Sequence, residues 1–189
     1  MIGYELPSSV SVGGADYPIR TDFRAVLDAL DVTSDAEFDG FERLRTEAFL
    51  NVMFPDWKAI PTEHLEEAIK KAIEFIDCGQ RDDGKPHPRL VDWEQDAAII
   101  MPAINSVAHI EVRSLPYVHW WTFFGYYMSI GESLFSSVLN VRIKKSKHKK
   151  LEKWEEEFYR DNRDIIDLKR ESLKRSDEEK QALKELLGM

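Results

Sequence analysis

Apolar residues keep helical spacing over most of this chain and alternate only near its start. Ser8-Ser-Val-Ser-Val12 and Asp16-Tyr-Pro-Ile-Arg20 flank Gly13-Gly14, which predicts a β-hairpin with a two-residue turn and Pro18 on an edge strand. From Thr21 the period changes. Phe23, Val26, Leu27 and Leu30 fall on one helical face behind a capping threonine. Ser34 with Glu37 reads as a capping box for a helix to about Met53, with Phe38, Phe41, Leu44, Ala48 and Val52 as its apolar face. Pro55 and Pro61 bracket a loop holding Trp57. A helix from about Thr62 to Asp77 then carries Leu65, Ala68, Ile69, Ala72, Ile73 and Ile76 on one face and ends at Gly79. Residues 79–90 are a loop, with a turn at Asp83-Gly84 and two prolines. Asp92 with Gln95 restarts a helix, which Pro102 kinks or divides.

The next segment is unusual. Seven aromatic residues lie between Tyr117 and Tyr127, in a helix pattern expected to begin near Pro116. A further apolar stretch, Leu134 to Ile143, continues it or packs beside it. Arg142-Ile-Lys-Lys-Ser-Lys-His-Lys-Lys150 then forms a basic run. Lys149 to about Arg170 reads as one long charged helix with a narrow stripe of Leu151, Trp154, Phe158 and Ile165, and with Glu156 and Arg160 as an i,i+4 ion pair. Ser176 with Glu179 caps a short last helix. The expected fold is mainly α: a hairpin and helical core over residues 1–145, and a charged helical extension over 146–189.

Charge narrows the function classes. Formal net charge is −9, with 35 acidic against 26 basic residues, and the excess acid lies before Arg142. An acidic body repels phosphates, so nucleic acid is not an expected partner, although Lys144, Lys145, Lys147, Lys149 and Lys150 form a local basic run. Cys78 is the single cysteine, which rules out an intrachain disulfide and a cysteine-rich zinc site. The N-terminus lacks a basic and apolar leader, so no signal peptide is expected and a cytoplasmic location fits. From Ser114 to Val141 the only charged residue is Glu132, a length that could span a bilayer. Pro116, His119, two glycines and a serine cluster argue instead for a helix buried in protein.

The sequence reads as non-enzymatic, without cofactor or metal. The five histidines show no ligand spacing, and Asp82-Asp83-Gly84 lacks the calcium-loop pattern. The glycines make no phosphate loop, and the serines lie outside any nucleophile-elbow context. His119 beside two tryptophans reads as a core histidine. The aromatic helix admits two readings: a central core helix, or a surface whose Trp and Tyr side chains anchor a partner.

Trp120-Trp-Thr-Phe-Phe-Gly-Tyr-Tyr127, the turn to Arg142-Ile-Lys-Lys145, and Lys147-His-Lys-Lys-Leu-Glu-Lys-Trp-Glu155 with Phe158-Tyr159 and Asn162 resemble the C-terminal half of a family of tail-module proteins. These come from long-tailed phages and prophages of Gram-positive bacteria. The hairpin and Asp22-Phe23-Arg24 extend the resemblance over roughly residues 10–168. It implies a tail assembly chaperone that binds the tape measure protein, with the major tail protein as a further candidate partner and self-association expected. By this analogy, partner contacts fall to Trp120, Trp121, Phe124, Tyr127, Arg142, Lys144, Lys145 and Lys147. A minor structural protein retained in the virion is the alternative, and a small metal-dependent hydrolase or nuclease is a third class.

Overall fold

A computed structural model describes residues 5–35, 38–80 and 88–169. The hairpin consists of β1 (Ser9–Val12) and β2 (Ala15–Pro18), antiparallel, with Val12 opposite Ala15 and Ser9 opposite Pro18. Its turn needs left-handed backbone at both central positions, and glycine supplies it: φ is +58° at Gly13 and +82° at Gly14. The two glycines differ in surroundings. A Cβ on Gly13 would meet His64 ring atoms at 2.6 Å, whereas one on Gly14 meets nothing within 4 Å. Gly14→Ala should therefore cost only the left-handed backbone penalty of about 1–2 kcal/mol. Gly13→Ala should cost more, because the His64 ring must also move; thermal melts of the two variants check the order.

The helices are α1 (Phe23–Ser34), α2 (Glu42–Met53), α3 (Leu65–Ile76), α4 (Ala97–Ala108), α5 (Trp120–Met128), α6 (Leu134–Ser146), α7 (Lys153–Asp161) and α8 (Arg163–Ile166). The protein is mainly α with a short N-terminal hairpin. Helix α1 packs on α2 and α5, α3 on the hairpin, and α4 on α5 and α6. Their shared core includes Val12, Phe23, Val26, Leu50, Met53, Ile100, Ile104, Trp120 and Phe123. A smaller cluster of Val138, Val141 and Ile166 joins α6 to α8.

Several boundaries differ from the sequence expectation. Asp22, not Thr21, caps α1 by accepting from the Arg24 N–H at 3.0 Å. Ser34 is the last residue of α1, its hydroxyl bonded back to the Asp31 carbonyl, and α2 starts only after Phe41. The buried face of α2 is Phe49, Leu50 and Met53, with Leu44, Ala48 and Val52 half-buried. Ile73 does not join the buried face of α3; it is 47% exposed, and Phe75 takes the interior position. Pro102 sits inside α4 without dividing it. The aromatic helix starts at Trp120 rather than Pro116, and α6 is separate from it.

The expected single helix from Lys149 is instead α7 and α8. His148 turns left-handed at φ +52°, which ends the run from α6. Glu152 and Glu155 then form a capping box that starts α7. Asn162 interrupts the helix at φ −127°. Arg160 pairs with neighbouring Asp161 at 3.1 Å, not with Glu156. The Asp83-Gly84 turn, Glu37 and the Ser176 cap lie outside the described residues. Among those described, no helix is long and apolar enough to cross a membrane.

Candidate functional site

Helix α5 enters the core through a backbone stitch to α1. The Phe23 N–H donates to the Val118 carbonyl at 3.0 Å, and the Trp120 N–H donates to the Thr21 carbonyl at 2.6 Å. Buried His119 caps α5: its Nδ1 accepts from the Trp121 N–H at 3.0 Å. That leaves the proton on Nε2, which reaches the Pro7 carbonyl at 2.9 Å. Both ring nitrogens have structural partners.

The paired tryptophans do a similar service for a different helix. Trp120 Nε1 donates to the Ile76 carbonyl at 2.7 Å and Trp121 Nε1 to the Phe75 carbonyl at 2.9 Å. These carbonyls belong to the last turn of α3, where a helix has no internal donors to offer. Phe23 stacks on Phe123 at 4.3 Å, and Trp93, Phe124 and Phe135 surround Tyr127. Burial pushes the Tyr127 hydroxyl above its ordinary pKa, and the nearby Asp96 charge adds to it.

Arg142 is likewise interior, at 5% exposure. All five of its N–H donors are used. Nη1 reaches Asp96 Oδ2 at 2.6 Å and the Leu90 carbonyl at 2.9 Å. Nη2 reaches Asp96 Oδ1 at 2.8 Å and the Ile165 carbonyl at 2.7 Å, and Nε reaches the Ile166 carbonyl at 2.7 Å. Asp96 Oδ2 also accepts from the Asp92 N–H at 3.0 Å. One guanidinium thus joins α6 to the start of α4 and to α8.

The structure therefore places Trp120 and Arg142 in the interior, where neither side chain can meet a partner in this fold. Trp121, Phe124 and Tyr127 are half-buried against the core. Lys144 is tied to buried Glu155 at 2.6 Å. Lys145 is tied to Asp167 at 2.6 Å and lies 3.6 Å from the centre of the Tyr159 ring. Lys147 is exposed, with Lys149 and Lys150 beside it. The eight residues do not form one surface. Sequence reasoning missed Met128, Ile130 and Leu134 at the corner between α5 and α6; Met128 is 62% and Leu134 48% exposed. Their signal was the break at Ser129–Ser133, which separates α5 from α6. Of the narrow stripe read from Leu151, Trp154, Phe158 and Ile165, Trp154 stands 53% exposed, and the other three pack against the small cluster of α6 and α8.

The carboxylates that hold α7 and α8 make their docking sensitive to acid. Burial acts to raise the Asp167 pKa, but hydrogen bonds from Lys145, Arg163 and Tyr159 outweigh it and hold the carboxyl below its ordinary value. Glu155 is lowered too, first by the Glu152 N–H and then by Lys144. With depressed folded values, the unfolded segment binds more protons at low pH. The contribution is complete above about pH 4.5 and is lost as pH falls through the folded values. Residues 153–167 should lose hydrogen-exchange protection in acid before α4 and α5. Asp167→Asn should weaken protection at neutral pH and flatten the acid response.

Among the described residues, no group of three or more His, Cys, Asp or Glu is placed to hold a metal ion. Burial, with the Asp77 charge, pushes the Cys78 thiol up to about 11, far from a reactive thiolate. No curated protein and no solved structure matches the chain. The family model described as Bacteriophage Gp15 protein matches residues 2–168, which takes in the hairpin, the aromatic helix and the α7–α8 segment. The chain is a phage protein and belongs to the Bacteriophage Gp15 protein family.

Proposed function

We propose that this phage protein is a non-enzymatic tail assembly chaperone that binds the tape measure protein in the cytoplasm of the infected or lysogenic host. The observation that carries the reading is the apolar corner between α5 and α6, where Met128 and Leu134 stand exposed on either side of Ile130. Phe124 lies one turn before Met128 on the same helical face. An elongated amphipathic helix needs its apolar stripe covered, and exposed methionine and leucine beside an aromatic ring suit that contact. A contact of this size is weak in one copy and strong when many copies line one long partner. An acidic body keeps such a coated complex soluble. The tail-module likeness of the aromatic and basic segments supports the same assignment.

Co-expression with the tape measure protein of the same phage is the test. The tape measure is expected to become soluble and to co-purify with many copies of this chain. Met128→Glu with Leu134→Glu should abolish co-purification without lowering the melting temperature. An insoluble tape measure, with this chain found in purified tails, would make it a structural component of the virion instead.

A further inference from the structure

We infer that α7 and α8 are a displaceable cover on the inner half of the apolar stripe that begins at the α5–α6 corner, and that an amphipathic helical partner lengthens its contact by taking their place. The identity of that partner rests on the chaperone reading. The spacing along α6 carries the inference. Leu134, Val138, Val141 and Lys145 follow one another at four, three and four residues, so they line one face of the helix. Leu134 stands 48% exposed at the outer end, whereas Val138 and Val141 are fully buried. The inner pair clusters with Ile166 of α8, and Leu151, Phe158 and Ile165 pack against that cluster together with Ile99 of α4. One stripe thus has an open end and an end occupied by α7 and α8 of the same chain.

The occupant shows what the face accepts. The α7–α8 segment brings apolar side chains to the valines and carboxylates to the lysines beside them. Glu155 meets Lys144 at 2.6 Å, and Asp167 meets Lys145 at 2.6 Å. An amphipathic helix with acidic residues flanking its apolar side presents the same groups to the same face.

The cover can leave without orphaning a charge. Ile166 is the one fully buried apolar side chain that the two helices contribute, and the remaining ties are largely polar. Gln95 holds the Asp167 carbonyl and the Lys169 N–H, and Arg142 holds the Ile165 and Ile166 carbonyls. Water can replace each of these. With the cover lifted, Arg142 keeps both Asp96 oxygens and the Leu90 carbonyl, so the buried ion pair survives. Glu155 returns to water with its charge. The connection from α6 is exposed at Lys147, His148, Lys149 and Lys150, which gives the segment a hinge outside the core. Closed, the cover keeps Val138 and Val141 out of water and lowers the affinity for a partner by the fraction of molecules that are open.

The test uses full-length chains. Ile166→Asp should open the cover and leave the stripe on α6 intact. Gln95→Ala with Asp167→Asn should do the same through the polar ties alone, should the first variant fold poorly. Val141→Asp opens the cover but breaks the stripe. Hydrogen exchange should show residues 153–167 unprotected in all three, with α4 and α5 still protected. The tape measure protein is then diluted from urea into each chain. The concentration that keeps it in solution should fall about tenfold or more for the two openers, as for an open state populated to about one in ten or less. Val141→Asp should give no fall. A labelled peptide of residues 151–169 is the second probe. The openers should bind it at least about tenfold more tightly than wild type, whose own cover competes at an effective concentration of about millimolar. Openers no better than wild type with the tape measure, a Val141→Asp chain equal to them, or peptide entering wild type as readily would each overturn the cover. A tape measure held by no chain would instead remove the chaperone reading, while peptide bound by the openers alone would keep the cover.

Discussion

Arg142→Ala is expected to lower stability by about 3–5 kcal/mol, the scale of breaking a buried ion pair by removing one partner. The loss has two parts. Asp96, 1% exposed, keeps its charge without its bidentate partner. The carbonyls of Leu90, Ile165 and Ile166 lose their donor together. Lysine should not rescue the site, because one ammonium cannot reproduce a planar fork of five donors. Arg142→Met with Asp96→Leu should be milder than Arg142→Ala, since it leaves no orphaned charge. Urea unfolding of the four proteins decides the matter. A loss under about 1 kcal/mol for Arg142→Ala would put the pair among solvent-screened surface bridges.

Trp120→Ala should destabilise by a similar amount, about 3–5 kcal/mol, as a large truncation in a packed core. Trp120→Phe separates packing from hydrogen bonding. It keeps a ring between Trp93 and Phe123 but strips the donor from the Ile76 carbonyl, for which about 1–3 kcal/mol is expected. Neither change should act through partner binding, because Trp120 has no exposed face to offer. Met128→Ala is the contrast: near-neutral in melting temperature, and costly only where a partner is present.

The helical class and the hairpin were legible because local signals agree with the fold. Gly13-Gly14 between alternating residues admits little else, and the apolar period of α3 is right apart from Ile73. Misreadings arose where a correct local pattern was overruled by a neighbour. Ser34-x-x-Glu37 has the form of a capping box, yet α1 holds Ser34 in its last turn, and α2 waits for Phe41 to bury itself. Lys149 to Arg170 has helical composition throughout, but the Glu152–Glu155 box inside it is a start signal, and the stretch before it is a turn. For the candidate site, the sequence leaves the aromatic helix open between a core helix and a partner-anchoring surface. The fold leaves Tyr117 exposed and takes in the rest of the cluster, giving two indole N–H groups to α3 and setting the α5 rings against α1, Trp93 and α6. The Arg142–Asp96 pair had no sequence signal, because its partners lie 46 residues apart with no repeating spacing between them.

The stitch between Thr21–Phe23 and Val118–Trp120 has a consequence for the order of events on the ribosome. Asp22 accepts from the Val118 N–H across 96 residues of chain, so the N-terminal arm cannot reach its resting place until α5 has been made. At about 5–20 residues per second, that wait is about 5–20 s. Throughout it, the Phe23 ring lacks Phe123 to stack on. Nascent chains halted before residue 118 should be protease-sensitive at the hairpin and α1, and those released beyond residue 146 should not. Refolding of the full chain is expected to be limited by closure of this long loop rather than by formation of any single helix, which stopped-flow refolding of a Phe123→Ala variant against a helix-α3 variant would check.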